Sequence, residues 1–184
     1  MTPEEARSLR GFTFVTSKPQ IVVLNMDESQ TDIATLPGGP ALRKKISDSG
    51  VSAIRLYGQL EMDLGDLAPE EAAAFTEGLP IEEPGRERLI AKAYHTLGLI
   101  SFFTCGPDEV RAWTLHDGEN AVDAAGTIHS DLARGFIRAQ VVSYEDYTQN
   151  GDSLAKCRET GVLRLEGKEY RVRDGDIIEI RFNV

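Results

Sequence analysis

Leu99–Tyr147 reads LISFFTCGPDEVRAWTLHDGENAVDAAGTIHSDLARGFIRAQVVSYEDY, the most densely patterned stretch of the chain. It opens on aromatic and β-branched residues and turns at Cys105-Gly106-Pro107. The spacing predicts a strand over Glu109–His116, a turn at Asp117-Gly118, a short helix over Ala121–Ser130 and a strand over Phe136–Ser143. Asn120 is placed to cap the helix. Arg111, Trp113 and Leu115 fall on one face of the second strand, with the lone tryptophan as a core anchor. A strand-turn-strand-turn-helix-strand rhythm of this length is that of a small α+β module.

Downstream, Ser153–Glu159 predicts a helix that stops at Gly161. Val162–Leu165 and Tyr170–Val172 predict a hairpin across Glu166-Gly167-Lys168. Asp174-Gly175-Asp176 then leads into IIEIRFNV, an apolar final strand expected to be central and to return beside the first. The order of elements is that of the β-grasp, or ubiquitin-like, plan.

Upstream, Thr2–Leu9 predicts a short helix with Pro3 in its first turn and Glu4-Glu5 near its positive end. Gln20–Asn25, QIVVLN, is a short β-branched run that predicts a strand buried on both faces. Asn25-Met26-Asp27-Glu28 follow its carboxyl end, where open α/β sheets bind ligands and where polar residues also simply start turns. After the loop Pro37-Gly38-Gly39-Pro40, a helix ends at Gly50 and a second strand covers Val51–Tyr57. Strand-loop-helix-strand is a parallel crossover unit. Asp66–Gly78 and Pro84–Leu97 predict two more helices, separated by an acidic linker.

The 184 residues carry a formal net charge of -10, which disfavours non-specific binding to nucleic acid. Any RNA contact must therefore come from a local patch, and no DNA contact is expected. With 41% apolar and 27% charged residues the chain is of globular type. No apolar run reaches the ~18 residues of a membrane helix, no secretory leader is legible, and the expected location is the cytoplasm. Cys105 and Cys157 lack a CxxC spacing and read as reduced packing residues. No metal site is expected. His129-Ser130-Asp131 has neither a nucleophile elbow nor a third partner at a motif spacing, so no catalytic residue is predicted. The adjacent acids Glu70-Glu71 and Glu82-Glu83 do not face each other on a helix and make poor acid/base couples. One charge pattern stands out. Arg164, Lys168, Arg171 and Arg173 crowd the predicted hairpin, and Arg138 lies on the preceding strand. A ladder of this kind can hold RNA phosphates, or it can be spent on salt bridges with Glu166, Glu169 and Asp174.

FFTCGPDEVRAWT, AAGTIHSDLARGFIRAQVVSYEDY and EGKEYRVRDGDIIEIRFNV closely resemble the C-terminal TGS (DUF933) domain of the YchF-type Obg-like ATPase family. EEARSLRGFTFVTSKPQIVVLNMDES resembles that family's return from its helical insertion into the nucleotide domain, and IEEPGRERLIAKAYHTLGLISFFT its linking helix. The resemblance implies a partial nucleotide-binding segment over residues 1–83, a linking helix over 84–98 and a TGS-like β-grasp domain over 99–184. It also implies weak nucleotide contacts by Asn25, Met26 and Glu28, with Glu28 favouring adenine, and by Gly58 in the loop after the second strand. Tyr57-Gly58 departs there from the family's Ser-Gly or Cys-Ala. No GxxxxGK[ST] phosphate loop occurs in the sequence, so no cofactor beyond weak ATP or GTP is expected and the segment by itself is expected not to be an enzyme. The expected role is a non-catalytic binding module for RNA or the ribosome. The alternatives are a protein-interaction module that docks on a separate nucleotide-binding partner or self-associates, and a weak adenine-nucleotide binder.

Overall fold

The computed structural model describes residues 5, 8–27, 29–30, 32–76, 84–106 and 109–183. It divides into two compact units, Met1–Leu97 and Gly98–Val184.

In the first unit, β1 (Ile21–Asn25) and β2 (Ser52–Leu56) pair in parallel, with Ile21 opposite Ser52 and Asn25 opposite Leu56. Between them runs α1 (Gly39–Ser49), with Pro40 in its first turn and Gly50 closing it at φ 64°. Gly39 has to be glycine. A Cβ there would sit 1.7 Å from the carbonyl oxygen of Ile33. The helices α2 (Gly58–Gly65), α3 (Pro69–Thr76) and α4 (Gly85–Leu97) follow, and α4 packs on β2 and β1. The core of this unit is small, built on Met26, Tyr57 and Leu60. Two expectations change. The Val51–Tyr57 strand passes straight into α2, a helix that the sequence pattern does not announce. And β1 is not buried on both faces: Val23, on the face that alternates with Val22 and Leu24, is 45% exposed. Thr2, Pro3 and Glu4 of the predicted first helix, and residues 77–83 with Glu82 and Glu83, lie outside the described residues.

The second unit is a five-stranded mixed sheet. Its strands are β3 (Leu99–Cys105), β4 (Val110–His116), β5 (Phe136–Ser143), β6 (Arg164–Glu166) and β7 (Asp176–Phe182), in the order β4-β3-β7-β5-β6. The final strand does lie beside the first, parallel to it through Phe103 and Ile177, and the other pairs are antiparallel. The helix α5 (Ala121–Ile128) covers one face. Its Ala121, Ala124 and Ala125 are fully buried, and their small side chains bring the helix close to Phe102, Leu115, Val141 and Ile178. A capping box starts it: Asn120 Oδ1 accepts from the Val122 and Asp123 amides, and Asp123 Oδ2 accepts from the Asn120 amide. The helix stops at Ile128, short of Ser130, because His129 Nδ1 accepts from the Asp131 amide at 3.2 Å and caps a separate turn, α6 (Ser130–Arg134). His129-Ser130-Asp131 is thus a helix start.

Part of the opposite face is covered by α7 (Tyr144–Gln149), capped by Ser143, and α8 (Leu154–Glu159), which pack Tyr147, Leu154 and Cys157 on Val142, Ile177 and Phe103. Burial raises the pKa of both Cys105 and Cys157, which fits inert packing thiols.

The predicted hairpin is not formed. β6 pairs with β5, Val141 opposite Arg164, while the 170–172 segment crosses to the start of α5. There Arg171 bridges Asn120, the Tyr170 carbonyl accepts from the Ala121 amide and the Glu119 carbonyl from the Val172 amide. Burial of Val172 in the α5-side core decides this, since a hairpin with β6 would leave it at the sheet edge.

Candidate functional site

In the first unit, the parallel register sets the carboxyl ends of β1 and β2 side by side and so unites two of the predicted contacts. Asn25 Oδ1 accepts from the Gly58 amide at 3.0 Å. A Cβ on Gly58 would lie 2.9 Å from that oxygen, so the close approach depends on glycine. Met26 does something else. Its side chain is 6% exposed and packs against Tyr57 and Leu60, while its amide donates to the Leu56 carbonyl at 2.9 Å. Asp27 Oδ1 accepts from the Ser29 hydroxyl at 2.6 Å and its amide at 2.9 Å, and these bonds lower the Asp27 pKa. Glu28 lies outside the described residues. A cavity of about 310 Å³ in the same unit is lined by Leu24, Ala53, Ile54, Arg55, Arg88 and Lys92, away from Asn25 and Gly58.

Asn25→Ala is expected to loosen the junction rather than unfold the unit. Losing one exposed hydrogen bond costs about 1 kcal/mol. Amide exchange at Gly58 should then rise about five-fold, with the β1–β2 amides unchanged. An unchanged Gly58 rate would show that the strand ends hold the loop without Asn25.

In the second unit the predicted ladder is taken apart. Arg164 turns inward: Nη2 donates to the Tyr170 hydroxyl at 3.0 Å and lies 3.6 Å from Asp176 Oδ1, and Nη1 is 3.6 Å from Glu166. Arg171 Nη1 donates to the Gly118 carbonyl. Because residues 170–172 form no strand with β6, Arg171 and Arg173 do not share a strand face. Lys168 and Arg173 are exposed. Arg138 cannot join Arg164, since alternation along β5 puts Arg138 and Gln140 on the face away from α5, whereas Arg164 is paired with Val141 on the α5 side.

Arg138 instead shares its face with Arg181 and Arg158, to which no sequence motif draws attention. It is directly opposite Arg181 on β7. Gln140 Oε1 accepts from Arg181 Nη2 at 3.1 Å and from Arg158 Nη2, on α8, at 3.2 Å. The alternation of IIEIRFNV could have placed Arg181 on the outer face, but the β5–β7 register and the docking of α8 are tertiary facts.

Residues 99–183 match the family model YchF-GTPase_C, described as a protein of unknown function (DUF933). The whole chain is 41% identical over 184 residues to the ribosome-binding ATPase YchF of Bacillus subtilis, covering 50% of that protein. It is 39% identical over 185 residues to the ribosome-binding ATPase YchF of Escherichia coli O157:H7, again covering 50%. The chain thus spans about half the length of the curated relatives it matches. Among solved structures, the YchF GTPase of Schizosaccharomyces pombe superposes with a TM-score of 0.81 at 30% identity, over 98% of this chain and 48% of that one.

Proposed function

Because the chain corresponds to the C-terminal half of a YchF-type ATPase, we propose that these residues act as a binding module for the ribosome and not as a catalyst. The observation that carries this reading is the 39–41% identity, over essentially the whole chain, to relatives named ribosome-binding. The order β4-β3-β7-β5-β6, with a parallel central pair, supports a β-grasp domain of the TGS type. The absence of a glycine-rich phosphate loop from the 184 residues supports a non-catalytic role, since phosphoryl transfer rests on positioning and charge around the phosphates. The Asn25–Gly58 junction is then a base-side loop with no phosphate clamp of its own, and any ATP or GTP binding is weak. A ribosome partner puts the molecule in the cytoplasm.

Co-sedimentation with purified bacterial ribosomes tests the reading. The chain should pellet with them at low salt and be released as salt rises. Calorimetry with ATP should show no binding in the micromolar range. Micromolar ATP binding with turnover, and no ribosome pelleting, would reverse the assignment.

A second reading rests on one observation: β1 offers an edge that no described strand covers, next to the exposed Val23. Such an edge fits docking on a nucleotide-binding protein or on a second copy. Sedimentation velocity would report the second copy as a concentration-dependent dimer.

A further inference from the structure

We infer that Arg138, Arg158 and Arg181, gathered around Gln140 on the sheet face away from α5, form the surface that grips the phosphate backbone of RNA. This deepens the ribosome-binding reading and rests on it.

Three observations converge on this face. The first is a charge arrangement that folding alone disfavours. Arg138 and Arg181 are direct cross-strand neighbours, and like charges in that position repel. Arg158 is brought to the same spot, so that two guanidinium groups share one neutral oxygen, Gln140 Oε1. The second is the lack of local neutralisation. The chain has 30 acidic residues against 20 basic ones, yet among the described residues Arg138, Arg158 and Arg181 enter no ion pair. Glu179 lies opposite Gln140 and is not paired with them either. The third is orientation. Gln140 holds one donor nitrogen of each of two guanidinium groups and leaves the remaining N–H groups free for a bidentate acceptor.

The class of ligand follows from what surrounds these donors. They stand on two strands and a helix beside the 52% exposed Leu165, and their donors outnumber the acceptors on that face, where Gln140 Oε1 is already taken by Arg158 and Arg181 and Glu179 is the carboxylate in register with Gln140. Base edges would need both donors and acceptors to be read. Phosphates need donors and positive charge alone. The contact is therefore independent of sequence and salt-sensitive, and it is made where the otherwise acidic molecule has a local excess of positive charge. Arg164 and Arg171 are excluded from it, since both are committed to internal contacts.

The test uses the whole chain, a fluorescein-labelled RNA hairpin, and bacterial ribosomes. The Arg138→Gln, Arg158→Gln, Arg181→Gln triple variant should bind the hairpin at least ten-fold more weakly at low salt. The slope of log K against log salt should become shallower by about 2, at roughly 0.7–0.9 for each phosphate that is no longer neutralised. The corresponding triple lysine variant keeps the charge and should keep the slope, which separates charge loss from misfolding. The Lys168→Gln, Arg173→Gln variant should stay within two-fold of the parent. An unchanged slope in the glutamine triple, or the full loss in the Lys168/Arg173 variant, overturns the assignment. Should the parent chain pellet with ribosomes yet ignore the hairpin, the RNA assignment fails, an acidic protein surface is the partner, and the ribosome reading survives. Should it bind neither, both fail.

Discussion

Asp176→Ala is expected to cost the Gly98–Val184 unit about 3–5 kcal/mol, since it leaves a phenol and a backbone amide without their acceptor at about 1–3 kcal/mol each and takes one of two carboxylates from the half-exposed Arg164. Asp176 is 2% exposed. Its Oδ2 accepts from the Tyr170 hydroxyl at 2.8 Å and from the Arg173 amide at 2.9 Å, and its Oδ1 faces Arg164 at 3.6 Å. Alanine would leave the phenol and the amide without this acceptor, while Arg164 would keep Glu166 at 3.6 Å. At about 4–8 °C per kcal/mol for a domain of this size, the melting temperature should fall by more than about 12 °C. Asp176→Asn keeps an acceptor and should lose less. A fall of under about 5 °C in the alanine variant would mean that water replaces the carboxylate at little cost. The variant also changes the alkaline limit of stability. Burial first, and then the bond to Asp176, raise the Tyr170 pKa. A raised phenol pKa favours the fold at pH values below the ordinary phenol range and loses that contribution as pH rises through the raised value. Without Asp176 part of the rise disappears, so the alkaline transition should begin at lower pH.

Phe102→Ala should be comparably damaging, by about 3–5 kcal/mol. Phe102 is 0% exposed and lies at the centre of the α5-side core. The fully buried residues of α5 in that core are Ala121, Ala124 and Ala125, whose short side chains already bring helix and sheet close and cannot reach into the gap. Phe102 pairs in register with Trp113, the lone tryptophan of the chain. Trp113 Nε1 donates to the Thr104 hydroxyl at 2.9 Å, so its emission reports on this corner. Urea titration followed by tryptophan emission should show an earlier midpoint, and Phe102→Leu should lose under about 1.5 kcal/mol. Equal losses for the leucine and alanine variants would show that the aromatic shape matters there more than the volume.

Local signals are legible where they are self-contained. Asn120 and Asp123 announce a helix start three residues apart, and they form a capping box. The β-branched and aromatic runs mark β3, β5 and β7, and the apolar ending marks a central strand. A signal for α7 is also present, as Ser143 and Asp146 at capping spacing, although it is too short to stand out beside the preceding strand. The 164–173 segment misleads because glycine at Gly167 is equally compatible with a hairpin and with an open connection. Alternation cannot say that Val172 belongs under α5 and Arg164 against Tyr170.

In the sequence by itself, periodicity, caps and turns within a few residues are enough to mark β1, β2, the capped helix α5 and the strands β3, β4, β5 and β7, but not α2 or the path of residues 164–173. Which arginines share a surface depends on long-range packing. Strand register and helix docking join Arg138, Arg158 and Arg181, which lie far apart along the chain, and separate Arg138 from Arg164 by the thickness of a sheet. Register reflects the sum of many cross-strand contacts, and no single window of residues contains it.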